Sequence, residues 1–426
     1  MAHHLHIQRI SLGTFIAVAV CLLNIAVAEW LNHGGDLCNT RSASEEKLIG
    51  PSTDISAMPA VADAMVYFPS WNGYLYAVHA FNGGLVWKKN LGELTGLKST
   101  GTVVNVTVSR STPTVSGKLL IVPIYGPAVV IAVNRSNGRL VWSTQLDPHP
   151  LAVITTSGTA YLGAFYIGVS SLEEGLPAEE CCTFRGSMIK LNILSGEILW
   201  QTYTLPDKGG ERGSYAGASI WGSSPAIDPK RRLAYIRDGI RWARQLGGHD
   251  VWHVACLVPN NPDCPIGPNL DAEFGEAPML ITIFINGTQR DIAVAVQKSG
   301  FAWALDRDFG DIVWFRLAGP GSAAGGGTRG AATDGKRIYS NIPNGAWVAL
   351  DARSEEILWS TANPSNEITP APVSVANGVV FAARVYGGIS ISCGCIYHGN
   401  GYKVGLVSQA FPTWTGGTDL YALCVE

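Results

Sequence analysis

Three groups of side chains in this sequence have residue types and spacings that chemistry could use. Cys181 and Cys182 are adjacent, so they can bond to each other or each pair elsewhere. His249 and His253 have zinc-like spacing, but that geometry needs a helix, and the surrounding sequence is typical of a loop. The glycine-rich stretch 321–330 lacks the Lys-Ser/Thr of a phosphate-binding loop. The histidines and the glycines therefore indicate connections, and the cysteine pair is the stronger candidate.

Single charged and aromatic side chains form a second set of candidates. Arg110 carries a guanidinium, which can hold a carboxylate through two parallel hydrogen bonds. Glu173 and Glu174 offer the hard oxygen ligands that suit Ca²⁺, and on chemistry alone they are equal candidates. Lys298 offers a cation, and Trp221 offers a flat apolar ring. Each also has a structural interpretation. Arg110 and Lys298 can be solvated cations, Glu173 and Glu174 can belong to a plain acidic loop, and Trp221 can be a buried core residue.

A short pattern recurs five times and predicts the elements that position these side chains. Each copy is typical of a strand, a tight turn and a second strand that ends in tryptophan, because the turn glycine supplies a positive φ. In the last copy Glu355 replaces the glycine. One hairpin cannot bury such an indole, whereas a ring of stacked four-stranded blades can. The copies occupy residues 77–87, 132–142, 191–200, 304–314 and 349–359.

The spacing of the copies predicts an all-β propeller with about seven recognisable blades, several of them incomplete. Residues 226–236 supply a hairpin of a hidden blade, and residues 239–242 are its remnant strand ending. Residues 372–381 predict another hairpin, around Asn-Gly. The apolar stretch 419–425 predicts a final strand that closes the ring beside strands of the N-terminal part. No linker divides residues 29–426, so we expect a single propeller domain.

The N-terminal residues 1–28 have the pattern of a secretory signal peptide, with Ala-Val-Ala at positions 26–28 as the cleavage site. An uncleaved membrane anchor is the alternative, and no later stretch could span a bilayer. Sequons at Asn105, Asn134 and Asn286 favour a glycoprotein. We therefore expect a secreted, extracellular protein, in the cell wall or apoplast if it comes from a plant.

The cysteines agree with an oxidising compartment. The chain has nine, and removal of Cys21 with the signal leaves an even number, eight. Cys256 and Cys264 flank a turn-rich segment and predict a local disulfide. One further bridge among the cysteines near the two ends would fasten the ring. These cysteines are Cys38, Cys393, Cys395 and Cys424.

Charge and motifs exclude some partners. The net charge is −3, and no basic patch has interleaved aromatic residues, so we expect no nucleic-acid partner. No Cys-x-x-Cys-His motif occurs, so the chain has no site for a covalent c-type haem. Any electron acceptor must then be another molecule.

Four segments give the chain a family resemblance. Residues 30–41, Trp-Leu-Asn-His-Gly-Gly-Asp-Leu-Cys-Asn-Thr-Arg, and residues 70–77, Ser-Trp-Asn-Gly-Tyr-Leu-Tyr-Ala, resemble quinoprotein alcohol dehydrogenases. Residues 181–186, Cys-Cys-Thr-Phe-Arg-Gly, and residues 297–300, Gln-Lys-Ser-Gly, resemble the polyvinyl-alcohol dehydrogenase branch, including its secreted plant relatives. The resemblance implies an eight-bladed propeller that carries pyrroloquinoline quinone (PQQ) and Ca²⁺. It also implies oxidation of a small or polymeric alcohol, with an external electron acceptor.

The same resemblance implies roles for particular residues. Trp221 matches the tryptophan that stacks on the quinone, and Arg110 matches an arginine that pairs a quinone carboxylate. Glu173 falls where the family places a Ca²⁺-binding carboxylate. Lys298 would place a cationic head on the quinone. A vicinal disulfide of Cys181 and Cys182 would cap the other quinone face, although in methanol dehydrogenase the pair precedes the segment that matches Arg110, and here it follows one blade later.

Two departures from the family pattern concern catalysis. Gln297 stands where alcohol dehydrogenases of this class carry their base aspartate, and an amide cannot accept a proton at neutral pH. Asp271 and Asp306 are possible replacements. The Gly-x-Gly-Asn that completes the Ca²⁺ site is also missing, since the chain has Arg-Asp-Gly at 237–239. The catalytic base is therefore unassigned, and a non-catalytic extracellular binding or scaffold propeller of the same ancestry is the competing hypothesis.

Overall fold

The computed structural model describes most of the chain between Trp30 and Cys424, with gaps. The described residues are 30–33, 42–43, 58–99, 107–177, 179–212, 216–217, 219–222, 224–235, 246, 252, 254–257, 259–262, 264, 266–267, 272–321, 330–342, 345–364, 371–382, 388–392, 394–399 and 420–424. Nearly all regular structure in them is β-strand. No helix among these residues is long and apolar enough to cross a membrane.

The strands are short, as the repeat pattern predicts. In chain order they are β1 Ser42–Ala43, β2 Ala60–Ala62, β3 Met65–Pro69, β4 Tyr74–His79, β5 Leu85–Asn90, β6 Thr114–Ser116, β7 Leu119–Ile124, β8 Val129–Asn134, β9 Leu140–Gln145, β10 Ala152–Val153, β11 Thr159–Tyr161, β12 Ala164–Ser171, β13 Ser187–Asn192, β14 Ile198–Tyr203, β15 Ala226–Asp228, β16 Leu233–Tyr235, β17 Met279–Ile285, β18 Thr288–Val296, β19 Phe301–Asp306, β20 Ile312–Leu317, β21 Ala332–Thr333, β22 Arg337–Ile342, β23 Ala346–Asp351, β24 Ile357–Ala362, β25 Ser374–Ala376, β26 Val379–Phe381, β27 Ser390–Ser392, β28 Cys395–Gly399 and β29 Leu420–Cys424.

A single short α-helix accompanies the described strands. This helix, α1, spans Leu91–Thr95 after β5. Its N-cap Asn90 accepts a hydrogen bond from Glu93 N, and Gly96 ends it in the left-handed conformation with φ 71°. Short 3₁₀ turns occur at Glu173–Gly175 and Val254–Leu257.

The described strands form eight sheets whose innermost strands are neighbours in chain order, so the predicted all-β propeller arrangement is confirmed. Four sheets have the strand orders β2-β3-β4-β5, β6-β7-β8-β9, β17-β18-β19-β20 and β21-β22-β23-β24. A fifth contains β10 to β14. The other three are shorter: β15-β16, β1-β25-β26 and β27-β28-β29. In chain order we number the eight from the first sheet, β2–β5, to the eighth, β27–β29.

Buried hydroxyl groups join the innermost strands of neighbouring sheets. Thr114 Oγ1 donates to Gly158 O at 2.9 Å, and Thr159 Oγ1 donates to Pro225 O at 2.7 Å. Ser390 Oγ donates to Pro59 O, which links the eighth sheet back to the first. Each bond satisfies a buried carbonyl that strand pairing alone would leave unpaired. The same sheets share an apolar cluster, so the ring closes through packing as well.

Three of the five repeat tryptophans join their sheet to the next one. Trp87 Nε1 donates to Arg135 O at 2.9 Å, Trp142 Nε1 to Ile193 O at 3.0 Å, and Trp314 Nε1 to Ala352 O at 2.9 Å. Each acceptor lies in the repeat hairpin of the following sheet. A Cβ on the next hairpin's glycine would collide with the indole, as at Gly196 against Trp142. The turn glycine is therefore needed for packing as well as for its positive φ.

The five predicted hairpins are confirmed as β4/β5, β8/β9, β13/β14, β19/β20 and β23/β24. All five share a register shift at the equivalent position just before the turn. Glu355, which replaces the glycine of the fifth hairpin, still adopts φ 60°. The hairpin register is therefore preserved even where another residue replaces the turn glycine.

A buried ion-pair network joins the two-stranded fourth sheet to the fifth. Arg231 Nη1 lies 3.1 Å from Asp228 Oδ2 and 2.9 Å from Asp291 Oδ2, and Arg231 Nη2 lies 2.7 Å from Asp308 Oδ2. Arg307 contacts the first two of these carboxylates. Burial raises the pKa of Asp291, but hydrogen bonds from Thr282 and Arg231 and the charge of Arg307 outweigh it and lower the pKa well below its ordinary value. Charge pairing thus adds to the apolar contacts that join the fourth sheet to the fifth.

Other predictions from the chain organisation have mixed outcomes. The hairpins in 226–236 and 372–381 are present as β15/β16 and β25/β26. The final strand pairs with β28, and Leu420 packs against the cluster that contains Trp30, so it closes the ring by packing and not by pairing with N-terminal strands. The N-terminal strand β1 pairs instead with β25. The remnant 239–242 lies outside the described residues.

The predicted local disulfide Cys256–Cys264 is present. Cys395 bonds to Cys424 across β28 and β29, so this bridge holds the final strand within its own sheet and does not fasten the two ends of the ring. Cys38 and Cys393 lie outside the described residues, as do the signal segment 1–28 and the sequon at Asn105. Of the other two sequons, Asn286 is exposed at a hairpin tip and Asn134 is half-buried. Glycosylation stays a prediction.

Candidate functional site

The antiparallel order of the strands places two kinds of segment at the same end of every sheet. The segment that enters the innermost strand and the loop between the second and third strands share one end, which we call the loop end. The repeat hairpins lie at the opposite end, the hairpin end. Arg110 and Trp221 precede β6 and β15, while Glu173, the cysteine pair and Lys298 follow second strands. All the predicted site residues therefore lie at the loop end.

Arg110 lies half-buried in a segment that its neighbours hold on both sides. Tyr125 N donates to Val108 O at 2.9 Å on one side, and Ser111 Oγ donates to Thr156 O at 2.7 Å on the other. The hydroxyl of Ser109 is buried and has no hydrogen-bond partner among the described residues. The backbone that carries Arg110 is therefore fixed on both sides.

Trp221 is partly exposed and lies between the third and fifth sheets. Its neighbour Ile220 is buried, packs against Gly168, and donates its N–H to Val169 O at 3.2 Å. Gly222, on the other side, has φ 98°, and a Cβ there would collide with Gly275 O. The backbone on both sides of the indole is thus fixed. This placement favours an available ring at the loop end over a fully buried core residue.

Glu173 is 4% exposed, and its carboxylate holds the loop that follows it. Oε1 accepts hydrogen bonds from Thr183 N at 2.7 Å and Thr183 Oγ1 at 2.8 Å, and Oε2 accepts one from Phe184 N at 2.7 Å. His149 Nε2 lies 3.4 Å from Oε1. A carboxylate has about four acceptor sites, so most of them are already used. The side chain of the other candidate, Glu174, lies outside the described part of the structure.

Cys181 and Cys182 form the predicted vicinal disulfide, and the peptide bond between them is cis. Cys181 is buried and Cys182 is partly exposed. Their sulfurs and a carboxylate oxygen of Glu173 all lie within 4.8 Å of one another. The disulfide and the glutamate therefore form one cluster at the loop end of the third sheet. Whether the disulfide caps a quinone stays a prediction.

Lys298 and Gln297 are both engaged by other groups. Lys298 Nζ lies 2.9 Å from Glu273 Oε1 and 5.9 Å from the centre of the Trp252 ring. Gln297 is buried, donates from Nε2 to Leu246 O at 3.1 Å, and accepts from Ser299 Oγ at 2.6 Å. The lysine is thus neutralised by a carboxylate, and the amide has a structural role.

The proposed replacement bases receive no support. Asp306 lies in the β19/β20 turn, where Oδ1 accepts hydrogen bonds from Asp308 N and Phe309 N at the hairpin end. It cannot reach a substrate at the loop end, so it is excluded as a replacement base. Asp271, the segment 237–239 and the pair His249 and His253 lie outside the described residues.

Two residues of this region, His149 and Glu273, were not predicted from the sequence. His149 bridges the cluster: its N–H donates to Asp147 Oδ1 at 2.8 Å, and its ring lies 3.1 Å from Thr183 Oγ1. Burial raises the pKa of Asp147, while the His149 N–H and the charges of His149 and Arg185 oppose this. Glu273, the partner of Lys298, is the other. Neither residue belongs to a repeat or a local motif, so only the folded loops bring them into the site.

The resemblance implies two bound groups, PQQ and Ca²⁺. The residue types at the loop end suit PQQ better than Ca²⁺. A flat tri-acid needs an apolar ring and cationic or donor groups, and Trp221, Arg110 and the unpaired Ser109 hydroxyl supply these. Ca²⁺ needs six to eight oxygen ligands. Around Glu173 the described neighbours are hydrogen-bond donors and two sulfurs. The described residues therefore offer side chains of the kinds that a quinone needs, whereas those around Glu173 do not offer the oxygen ligands of Ca²⁺.

A family model described as "Outer membrane protein assembly factor BamB" (PQQ_2) matches residues 32–232 and 272–402. The chain belongs to this family. Among curated proteins, a polyvinylalcohol dehydrogenase of Pseudomonas sp is 29% identical over 379 residues, and one of Sphingopyxis sp. is 27% identical over 348. These matches cover 76% and 70% of this chain. The predicted membership of the quinoprotein alcohol dehydrogenase family is confirmed.

The chain spans only 57% and 51% of the length of those two relatives. A quinohemoprotein alcohol dehydrogenase of Pseudomonas putida is 24% identical, across 68% of this chain and 47% of that protein. All three are bacterial, and the expected plant type is not borne out.

Solved structures agree on the fold. The quinohemoprotein alcohol dehydrogenase from Comamonas testosteroni superposes with a TM-score of 0.65 at 16% identity, covering 98% of this chain and 83% of that one. A europium-containing methanol dehydrogenase gives 0.61 at 12% identity, covering 90% and 92%. At these identities the likeness shows the propeller fold alone.

Proposed function

We propose that the protein is a PQQ-dependent alcohol oxidoreductase similar to polyvinylalcohol dehydrogenase. The observation that carries the proposal is the common placement of Arg110 and Trp221 at the loop end, on backbone held from both sides. The relatives that match most of this chain are dehydrogenases of alcohols. The substrate is a small or polymeric alcohol, and the electrons pass to an external acceptor.

Each residue has a defined task in this proposal. The bound quinone would accept hydride from the alcohol carbon. Trp221 offers the apolar ring on which a flat cofactor stacks, and Arg110 pairs with one of its carboxylates through the two-pronged guanidinium. The buried Ser109 hydroxyl, in the same segment, is a further candidate donor. No residue of the described chain is assigned as the base, and Gln297 holds loops instead of moving a proton.

A non-catalytic quinone-binding or scaffold propeller is the second candidate. It is favoured by the ion pair that neutralises Lys298 and by the carboxylate of Glu173, which holds a loop. Both groups are cofactor or metal contacts in the family pattern. A chain that keeps the stacking ring and the arginine but not these contacts could bind without turnover.

The test uses the full chain with PQQ, with and without added Ca²⁺. We expect one quinone absorbance per chain after gel filtration, and dye reduction on addition of a primary alcohol or polyvinyl alcohol. Trp221→Ala should abolish the retained absorbance, whereas Trp359→Ala, the same change far from the loop end, should not. Bound quinone with no dye reduction supports a non-catalytic quinone-binding propeller. No retained quinone in either metal condition contradicts the oxidoreductase and supports the scaffold.

Secretion also belongs to this proposal. The signal pattern of residues 1–28 predicts export, and three disulfides among the described residues suit an oxidising compartment. Expression with the native N-terminus, followed by N-terminal sequencing of the exported protein, tests this. Cleavage after Ala28 is the expected result.

A further inference from the structure

The cluster of Glu173, Cys181 and Cys182 has a donor set that differs from the hard oxygen site expected there. Two sulfurs and one carboxylate oxygen lie within 4.8 Å of one another. Thiolate sulfur and carboxylate oxygen are ligands of zinc, which takes four ligands in a tetrahedral arrangement. A site with three protein ligands leaves the fourth position to water.

We propose that reduction of the Cys181–Cys182 disulfide creates a binding site for a thiophilic divalent cation such as Zn²⁺. The sulfurs of the disulfide cannot act as thiolate ligands while they are bonded to each other. The site is therefore closed in the oxidised protein and opens when the disulfide is reduced. This inference does not depend on the proposed alcohol oxidation.

The chemical step balances with an external dithiol as reductant. Two electrons and two protons convert the Cys181–Cys182 disulfide to two thiols, and the dithiol becomes a disulfide. Binding of the cation then displaces the two thiol protons to solvent. No other oxidant or reductant is required.

The surrounding residues orient the carboxylate for this role. Glu173 Oε1 accepts from Thr183 N and Thr183 Oγ1, while Oε2 accepts from Phe184 N. Oε2 therefore keeps acceptor capacity for a cation. Leu151 N donates to His149 Nδ1 at 3.2 Å, so His149 Nε2 carries the proton and faces Thr183 and Glu173 as a donor. The imidazole thus supports the ligand and is not itself one.

Burial of the cluster favours tight and selective binding. Glu173 is 4% and Cys181 7% exposed, and Phe184, 2% exposed, packs its ring edge-on against His149 at 5.5 Å between ring centres. Cys182 is partly exposed and gives the cation a route to the sulfurs. Ca²⁺, which prefers oxygen, should not compete.

The experiment measures Co²⁺ binding as a spectroscopic substitute for Zn²⁺. The full chain is treated with a dithiol, freed of it by anaerobic gel filtration and titrated with Co²⁺. We expect a thiolate-to-cobalt charge-transfer band that saturates at one Co²⁺ per chain, is displaced by Zn²⁺ and is unchanged by excess Ca²⁺. The untreated protein should show no band.

Matched variants separate this site from the other cysteines. Cys256→Ser with Cys264→Ser removes a different disulfide and should leave the band unchanged, whereas Cys181→Ser with Cys182→Ser should abolish it. Glu173→Gln should weaken binding at least about tenfold, and Glu197→Gln, at the hairpin end of the same sheet, should not. If the double serine variant at 181 and 182 lacks the far-ultraviolet circular dichroism of a folded protein, Cys182→Ser alone should still remove the two-thiolate band. Equal binding by the oxidised protein, or a band that survives loss of both cysteines, overturns the proposal.

Discussion

The hairpin end and the loop end of the same sheets are built on different rules. At the hairpin end one solution recurs: a turn with a positive φ, a register shift and an indole that donates to the next hairpin, as Trp87 and Trp142 do. At the loop end the connections between second and third strands differ: they are short turns at 70–73 and 297–300, whereas the longer connection 172–186 carries the cluster around Glu173. Repetition therefore marks the residues that hold the ring, and the segments that depart from it carry the candidates for chemistry.

The hairpin end also varies with the completeness of the following sheet. Trp142 is followed by a full sheet, is 8% exposed and has a carbonyl partner in it. Trp359 is followed by the short sheet β1-β25-β26 and is 38% exposed. Between the fourth and fifth sheets, the ion pairs of Arg231 join the turns instead. The repeat tryptophan thus contributes a different amount to the free energy of unfolding in different sheets.

The largest predicted effect is the loss of a fully used indole. Trp142→Ala should lower the free energy of unfolding by about 3–5 kcal/mol, because it removes a buried ring and leaves Ile193 O without its donor. Trp359→Ala should cost at most about 1 kcal/mol, since its ring is already partly in water. Urea unfolding of both variants measures the difference. Equal losses would contradict the link between an indole and the following sheet.

Breaking the ion-pair network should have the next largest effect. Arg231→Met should lower the free energy of unfolding by about 3 kcal/mol, because it leaves Asp228 and Asp291 buried with less compensating charge. The exposed neighbour Arg232 provides the control, and Arg232→Met should be nearly neutral. Thermal unfolding at neutral pH compares the two. A neutral Arg231→Met would mean that the fourth sheet is held by other contacts.

A loop-end substitution should change binding and leave stability intact. Arg110→Ala should raise the dissociation constant for PQQ about 10- to 100-fold, as expected for loss of a charged hydrogen-bonded pair. The free energy of unfolding should change by less than about 1 kcal/mol. Arg110→Lys should recover part of the affinity, because lysine keeps the charge but not the fork. Arg139→Ala, at the hairpin end of the same sheet, should leave affinity unchanged, and a loss there equal to that of Arg110→Ala would remove the distinction between the ends.

The last prediction concerns the response of stability to acid. His398 is completely buried in β28 without a hydrogen-bond partner among the described residues, and this burial lowers its pKa to about 3. The unfolded chain takes up the proton near the ordinary pKa of about 6.5, and the folded chain does not. Stability is therefore complete above about pH 6.5 and falls as pH decreases toward 3. His398→Phe should flatten the melting temperature between about pH 6.5 and 4, where histidine titrates, whereas exposed His79→Phe should not. An unchanged slope in His398→Phe would assign the acid response to other groups.

Sequence reasoning succeeded where structure is local and repeated. The hairpins, their glycines and the two disulfides Cys181–Cys182 and Cys256–Cys264 follow from short segments, because turn geometry and cysteine proximity are fixed by neighbours in the chain. Family resemblance selected the candidate site residues, and the strand order of the structure shows that they lie at one end of the sheets.

Sequence reasoning failed where the partner of a side chain is far away in the sequence or belongs to no recognisable motif. The carboxylate of Glu173 is occupied by a loop ten residues further on, at Thr183, and Lys298 is neutralised by Glu273. Residue type gives the chemistry that each group can do, but only the folded loops decide what it does. Asp306 shows the converse: a carboxylate of suitable type sits in a repeat turn at the wrong end.

A crystal structure of the full chain grown with saturating PQQ tests the central claim most directly. The account predicts a single quinone at the loop end, with its rings stacked on Trp221 and one carboxylate paired with the Arg110 guanidinium. Quinone bound at the hairpin end, or bound at the loop end without contact to either residue, would contradict it.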